Sequence, residues 1–135
     1  MYLLLDLSIK DVIHLALFDK QVIEHKKYSG MNRELLSCID DFIRVCKVNK
    51  VHKVFKVEDL GGIMVVVGSG SFTSTRIACV VANTFAYVLQ IPLLAIGEDK
   101  IDKVQELIPE LLKQPRGQYI SATYSGEANI GNNKK

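Results

Sequence analysis

The central part of the chain combines a continuous apolar run, a glycine-rich loop and a long apolar helix. Residues 63–67 are apolar throughout and mostly β-branched, which is typical of a strand buried on both faces. A helix is predicted over 73–89, Pro92 prevents its continuation, and 93–96 forms the next strand. A helix between two short apolar strands indicates parallel pairing through a right-handed crossover.

The predicted helix over 73–89 is apolar on nearly every face. Ala78, Ala82 and Ala86 recur every fourth residue and form a ridge of small side chains, which allows close approach of another helix. A helix that lies on a sheet at the protein surface usually keeps a polar outer face. We therefore expect the outside of this helix to be covered, either by another helix of this chain or by a partner.

The N-terminal part of the chain predicts an antiparallel meander. Short apolar or alternating runs at 3–6, 12–18 and 21–28 indicate three strands, and Asp19-Lys20 forms the hairpin turn between the last two. Because the later strands arrive through helices, we expect a mixed sheet.

Two more helices are predicted around the central segment. The first extends over about 33–50, and the last over about 100–113, with Pro109 as a kink or an early end. Each has a stripe of apolar residues at helical spacing: Leu35, Leu36, Ile39, Phe42, Ile43 and Cys46 in the first, and Ile101, Val104, Leu107, Ile108, Leu111 and Leu112 in the last.

Length and composition fit one globular domain. The 135 residues are enough for a core, and the formal charge of +2 implies no strongly charged partner. We expect a domain at 1–117 followed by a polar tail at 118–135. The three cysteines lack metal-ligand spacing, and we find neither a signal peptide nor a membrane span, so we predict a cytoplasmic protein with no metal and no cofactor.

The loop Gly68-Ser-Gly-Ser-Phe-Thr lies between a predicted strand and a helix, where helix N-termini bind anions. It lacks the Lys-Ser/Thr pair of a Walker A loop, and Thr73 occupies the third glycine position of the dinucleotide-binding pattern. Gly68 and Gly70 are therefore compatible with a phosphate loop or with a tight turn into the helix, and we favour the turn.

The segment from Met64 to Ala78 resembles the signature of the TsaB (YeaZ) family, which functions in the synthesis of threonylcarbamoyladenosine beside the tRNA anticodon. The positions that match are Gly68, Gly70, Ser71, Phe72, Thr73, Arg76 and Ile77, and those that depart are Ser69, Ser74 and Ala78. The resemblance covers about 2–96 and is specific at 63–96. It implies one actin-like, ribonuclease-H-like lobe of order β-β-β-α-β-α-β-α with a mixed five-stranded sheet.

Asp6 and Ser8 follow the first predicted strand, as in the Asp-Thr-Ser run with which TsaB sequences usually begin. In actin-like ATPases and sugar kinases the Asp at this position orients metal and water near the nucleotide, so the resemblance makes Asp6, Ser8, Gly68 and Gly70 candidates for a vestigial nucleotide site. Family members normally carry a second, related domain, and the lack of one here argues against binding between two lobes. For Asp6 itself we favour a turn-capping role over nucleotide contact.

The resemblance implies a non-catalytic scaffold that binds and stabilises a TsaD-like threonylcarbamoyltransferase as a heterodimer. The predicted helices at about 33–50 and 73–89 would form a helical bundle with the TsaD-like subunit, and a TsaE-like ATPase would be the third component. The candidate interface residues are Leu36, Ile39 and Ile43 from the first helix, and Arg76, Ala78, Ala82, Asn83 and Ala86 from the second. Some residues of the first helix must instead face the sheet.

Two alternatives remain open. One is a homodimer that uses the same helices, and the other is a weak nucleotide-binding protein of the same fold. Lysines at every third position from Lys47 to Lys56 could contact tRNA phosphates, but no arginine or aromatic residue is interleaved with them. We therefore favour a solvated helix end, where cations suit the helix dipole, and expect only indirect involvement of tRNA. His14, His25 and His52 are scattered over different predicted elements, and we predict no catalytic residue.

Overall fold

Five strands form one mixed sheet in the order β3-β2-β1-β4-β5. The structure is a computed structural model and describes residues 1–30, 34–45, 57–68 and 72–117. The first three strands form an antiparallel meander, and β4 and β5 add in parallel on the other side of β1. The strands are β1 (Tyr2–Asp6), β2 (Val12–Phe18), β3 (Ile23–Ser29), β4 (Gly62–Val66) and β5 (Leu93–Ile96).

The turn between β2 and β3 is fixed by one carboxylate. Asp19 Oδ1 accepts hydrogen bonds from the backbone N–H groups of Gln21 and Val22, at 2.8 and 2.9 Å. These bonds hold the pKa of Asp19 below its ordinary value. The predicted hairpin at Asp19 is confirmed, and the register that follows pairs Phe18 with Ile23.

Helices cover both faces of the sheet. On one face, α1 (Leu35–Val45) and α2 (Phe72–Leu89) bury their inner sides against alternate strand residues such as Leu3 and Leu15. The other face, lined by residues such as Met64, packs against a 3-10 helix at Glu98–Lys103 and a short helix α3 (Ile108–Leu112). A one-turn 3-10 helix at Val57–Asp59 precedes β4. Successive residues of a strand point to opposite faces of the sheet, and helices cover both faces. The side chains of β1 and β4 are therefore buried on both faces.

The continuous C-terminal helix predicted over 100–113 is wrong. A 3-10 helix ends at Lys103, a turn follows, and α3 begins only at Ile108. Pro109 lies in the first turn of α3, where its missing N–H costs nothing, so it starts a helix instead of interrupting one. Of the predicted stripe, Val104, Ile108 and Leu111 are buried, whereas Leu112 exposes 52 % of its surface.

The observed order and the mixed five-stranded sheet confirm the predicted β-β-β-α-β-α-β-α arrangement. The helix predicted over 73–89 and the strand at 93–96 are also confirmed as α2 and β5. The segments 31–33, 46–56 and 118–135 lie outside the described residues, so the far end of the first predicted helix and the proposed tail boundary stay predictions.

Candidate functional site: a buried carboxylate and an apolar helix face

Asp6 ends β1 with its carboxylate buried inside the chain. Its Oδ1 accepts hydrogen bonds from the N–H and the hydroxyl of Ser8, at 3.0 and 2.6 Å. Its Oδ2 lies 2.9 Å from Nδ1 of His14, the residue directly opposite on β2. Both oxygens therefore already have partners within the chain. This confirms that Asp6 and Ser8 form a local turn.

The environment of Asp6 favours the charged carboxylate. Burial alone would raise the pKa of this group, but the hydrogen bonds from His14 and Ser8 outweigh burial and hold the pKa of Asp6 below its ordinary value of 3.8. A charged carboxylate that is only 3 % exposed needs such partners, because an unpaired buried charge is strongly unfavourable.

A second histidine continues the hydrogen-bonded chain to the surface. His14 Nε2 lies 2.9 Å from Nδ1 of His25 on the edge strand β3, and the ring centroids are 5.1 Å apart. Burial and the neighbouring charge of His14 lower the pKa of His25, while Asp102 on the 3-10 helix opposes this shift. His14 is buried and His25 is exposed, so the three side chains link the interior to solvent.

The expectation that the histidines are scattered is wrong for two of the three. His14 and His25 project from the same face of the sheet, because His25 pairs with Ala16, two residues from His14. The sequence does contain the necessary signal. Once the turn at Asp19 fixes the hairpin register, residues two apart on adjacent strands become diagonal neighbours within reach of long side chains. His52 lies outside the described residues.

The glycine loop leaves β4 close to the end of β1. Gly68 adopts a left-handed backbone conformation, with φ of +83°, which is strained for other residues. Because β1 and β4 pair in parallel, Asp6 and Gly68 both lie at the C-terminal end of these two central strands. Gly70 lies outside the described residues, so the candidate nucleotide site of Asp6, Ser8, Gly68 and Gly70 stays a prediction.

The outer face of α2 is apolar and open. Val80, Tyr87 and Val88 expose 62, 71 and 68 % of their surfaces. Between them lies Thr84, whose hydroxyl donates to the carbonyl of Val80 at 2.8 Å and so is satisfied within the helix. The spacing of these four residues places them on one side of the helix. We call this set, Val80, Thr84, Tyr87 and Val88, the outer stripe; it carries no charged side chain.

The ridge of small residues does not lie on that outer face. Ala78, Ala82 and Ala86 are fully buried in the core that α2 forms with the sheet. Their small side chains let the helix approach the strands closely. The alanine ridge is therefore buried against the sheet and is not accessible to a partner helix. This part of the predicted interface is therefore corrected: the alanines contact the chain's own core.

The remaining candidate interface residues divide between surface and core. Leu36 exposes 59 % of its surface on α1, whereas Ile39 and Ile43 are buried toward the sheet. Arg76 is exposed and Asn83 is half-buried on α2. Near the start of the outer stripe is a cavity of about 350 Å³, whose described lining residues are Thr73, Arg76, Ile77, Val80 and Val81.

Other sequence features fall partly or wholly outside the described chain. The lysine run at 47–56 lies there, so its contact with tRNA is untested. Of the helices that the structure describes, none is both long enough and apolar enough to span a bilayer.

These elements define a single lobe of the ribonuclease-H-like, actin-like class, with α1 and α2 on one face of a five-stranded mixed sheet. A family model described as TsaD, tRNA N6-adenosine threonylcarbamoyltransferase, matches residues 23–121. The match covers most of the chain, and the chain therefore belongs to the TsaD family. No curated protein sequence shows a significant match to it.

Solved structures with the same fold include YeaZ from Pseudomonas aeruginosa, with a TM-score of 0.60 and 24 % sequence identity over 71 % of this chain. A crystal structure of an uncharacterized protein with similarity to peptidase YEAZ, also from Pseudomonas aeruginosa, gives the same TM-score, identity and coverage of this chain. The resemblance to YeaZ is thus confirmed at the level of the fold. The chain spans only 44 and 42 % of the lengths of these two proteins.

Proposed function

We propose that this chain is a non-catalytic scaffold subunit in the synthesis of threonylcarbamoyladenosine in tRNA. In this role it binds a TsaD-like threonylcarbamoyltransferase through α1 and α2 and stabilises that subunit. Family membership supports a role in this tRNA modification. The YeaZ-like fold supports the proposal that this chain is the partner of the TsaD-like subunit. A TsaE-like ATPase is the further component, and tRNA is involved indirectly.

The observation that carries the proposal is the outer stripe of α2. Three large apolar side chains at spacing i, i+7 and i+8 are exposed on one helix face, beginning with Val80. A surface helix normally presents polar residues there, and a contiguous apolar patch is typical of a protein–protein interface. Leu36 of α1 adds an exposed apolar side chain from the other helix on the same side of the sheet.

The stripe also has the form of a helix-packing surface. The side chains of Val80 and Val88 are short and branched, so another helix can approach closely between them and Tyr87. The cavity beside Val80 can accept a side chain of the partner. This arrangement favours a helical bundle between the two subunits.

The state of Asp6 supports a non-catalytic role. A carboxylate that binds nucleotide phosphate groups through water or a cation must present free oxygen lone pairs to the ligand. Here Oδ1 accepts a hydrogen bond from Ser8, Oδ2 accepts one from His14, and the carboxylate is almost fully buried. We infer that Asp6 stabilises the end of β1, in preference to contacting a nucleotide.

The proposal is tested by mixing the purified chain with the TsaD-like protein of the same organism and measuring the mass by light scattering after gel filtration. Wild-type protein should form a heterodimer, and Val80→Arg should abolish it, because an arginine there introduces a charge into the apolar contact. The matched control is Leu112→Arg, which puts the same charge on an exposed leucine of α3, beyond the opposite face of the sheet.

Three results separate the alternatives. A heterodimer that is lost in Val80→Arg but retained in Leu112→Arg supports the scaffold. A complex that neither substitution affects contradicts the α2 interface. If the chain forms no complex and is itself a dimer that Val80→Arg dissociates, the stripe is a homodimer surface and the scaffold proposal fails. Circular dichroism of each variant establishes that it is folded.

A further inference from the structure

Asp6, His14 and His25 form one hydrogen-bonded chain that the proposed scaffold role does not use. It begins at the buried end of β1, passes through β2 and ends at the exposed edge strand β3. Each of the three strands contributes one side chain. The protonation state of these three side chains therefore determines whether their hydrogen bonds connect the three neighbouring strands.

The hydrogen positions follow from the chemistry of the groups. An ionised carboxylate only accepts hydrogen bonds, so Nδ1 of His14 must carry a proton toward Asp6. The 2.9 Å between His14 Nε2 and His25 Nδ1 is a normal hydrogen-bond distance. It has room for one hydrogen atom, because two N–H groups would point their protons at each other.

This geometry accepts one additional proton, and a second proton breaks the hydrogen bond between the two rings. With both imidazoles neutral, His25 Nδ1–H donates to His14 Nε2, and His25 Nε2 is the open acceptor. An added proton binds His25 Nε2, and the bridging hydrogen can shift toward His14, which offsets the buried charge of Asp6. A second added proton must occupy the remaining bridge nitrogen, and the two rings then face each other as donors.

The charged groups around the chain come from three elements. Asp6 on β1 favours protonated histidine, and Asp102 on the 3-10 helix favours it at the outer ring. Lys27, which lies opposite His14 on β3, opposes further positive charge. His14 cannot leave its buried position without removing the partner of Asp6 Oδ2, whereas His25 is exposed on an edge strand and can turn into water.

We propose that the hydrogen-bonded side chains of Asp6, His14 and His25 form an acid-released latch. The first proton strengthens the connection from Asp6 to His25, and the second proton detaches His25 from His14. The latch joins the edge strand β3 to the buried end of β1. Acid therefore frees the His25 side chain while the Asp6–His14 pair stays in place. The inference concerns the sheet alone and does not depend on a partner subunit.

The latch is tested by nuclear magnetic resonance of the intact chain, with the ring nitrogens of all three histidines followed through a pH titration. The hydrogen-bonded pair of rings should take up its protons in two shared steps, because strongly interacting sites titrate as a pair. Contacts between the protons of the two rings should survive the first step and disappear in the second.

Two substitutions make the test specific. In Asp6→Asn the first shared step should move to lower pH, since the carboxylate that stabilises the added proton is gone. In His25→Gln a single step should remain, because the amide can donate to His14 without titrating. Should Asp6→Asn fail to fold, the glutamine variant and the wild type decide the matter.

The latch is overturned by either of two results. One is independent titration of His14 and His25 in single steps that Asp6→Asn or His25→Gln leaves unchanged. The other is a ring-to-ring contact that persists at a pH where both rings carry two protons.

Discussion

Val80 and Ala82 lie two residues apart on α2 and face opposite surroundings: Ala82 is fully buried against the sheet, whereas Val80 exposes 62 % of its surface. The alanine ridge lies on the inner side of the helix, together with larger, partly buried apolar residues such as Phe85. The small side chains let the helix backbone lie close to the strands, while the outer stripe stays exposed. It is the basis of the proposed partner interface.

The two faces of α2 should respond differently to an added side-chain volume. Ala82→Leu is expected to lower the free energy of unfolding by about 1–3 kcal/mol, because a close-packed core has no room for three more carbon atoms. Val80→Leu should change it by less than about 0.5 kcal/mol, since the side chain is mostly in solvent. Urea denaturation of both variants measures the difference. Equal effects would contradict the assigned helix orientation.

The hairpin turn should depend on one carboxylate. Asp19→Ala removes the acceptor for two backbone N–H groups, and we expect a loss of about 1 kcal/mol in the free energy of unfolding. Because the pKa of Asp19 is lowered in the folded state, its contribution is present above the ordinary value of 3.8 and is lost as pH falls through the folded-state value. Lys20→Ala, in the same turn and exposed, is the control and should be near neutral.

Asp6 should make the whole lobe sensitive to acid. The folded-state pKa of Asp6 lies below 3.8, so the carboxylate stabilises the fold above that pH and this stabilisation disappears as pH falls through the folded-state value. Asp6→Asn should cost about 1–3 kcal/mol at neutral pH and flatten the decline of stability in acid. Urea denaturation across pH measures both. An Asn variant with the wild-type acid profile would show that Asp6 does not carry the effect.

The exit from β4 should require glycine at one position. A Cβ at Gly68 meets nothing within 4 Å, so any cost of Gly68→Ala comes from its backbone angle of +83° and not from crowding. We expect about 1 kcal/mol of lost stability for Ala and less for Asn, which tolerates left-handed backbone better. Thermal unfolding compares the two. An equal loss for both would point to a cause other than the backbone.

The sequence predicted the strands and α2 because their signals are local. The buried run at 63–67, the alternation at 12–18 and the turn at Asp19 each specify an element without reference to the rest of the chain. A single helix over 100–113 is the wrong prediction, because the same apolar stripe fits one long helix or two short ones. Only packing against the strands selects between them.

The orientation of α2 could not be read from its sequence, since almost every face is apolar. Ala82 and Val80 are both plausible core residues on periodicity alone, and the choice depends on how closely the helix approaches the sheet. The pairing of His14 with His25 is different. It follows from strand register, which the hairpin turn determines, and a diagonal comparison of the two strands would have found it.

The central claim is that a TsaD-like subunit covers the outer stripe of α2. The most direct measurement follows the methyl resonances of this chain by nuclear magnetic resonance while the unlabelled TsaD-like protein of the same organism is added. We predict that the methyl groups of Val80 and Val88 shift and gain protection from a soluble paramagnetic probe, while those of Leu112 do not change. If binding occurs and Val80 and Val88 stay accessible to the probe, or if no binding occurs, the claim is contradicted.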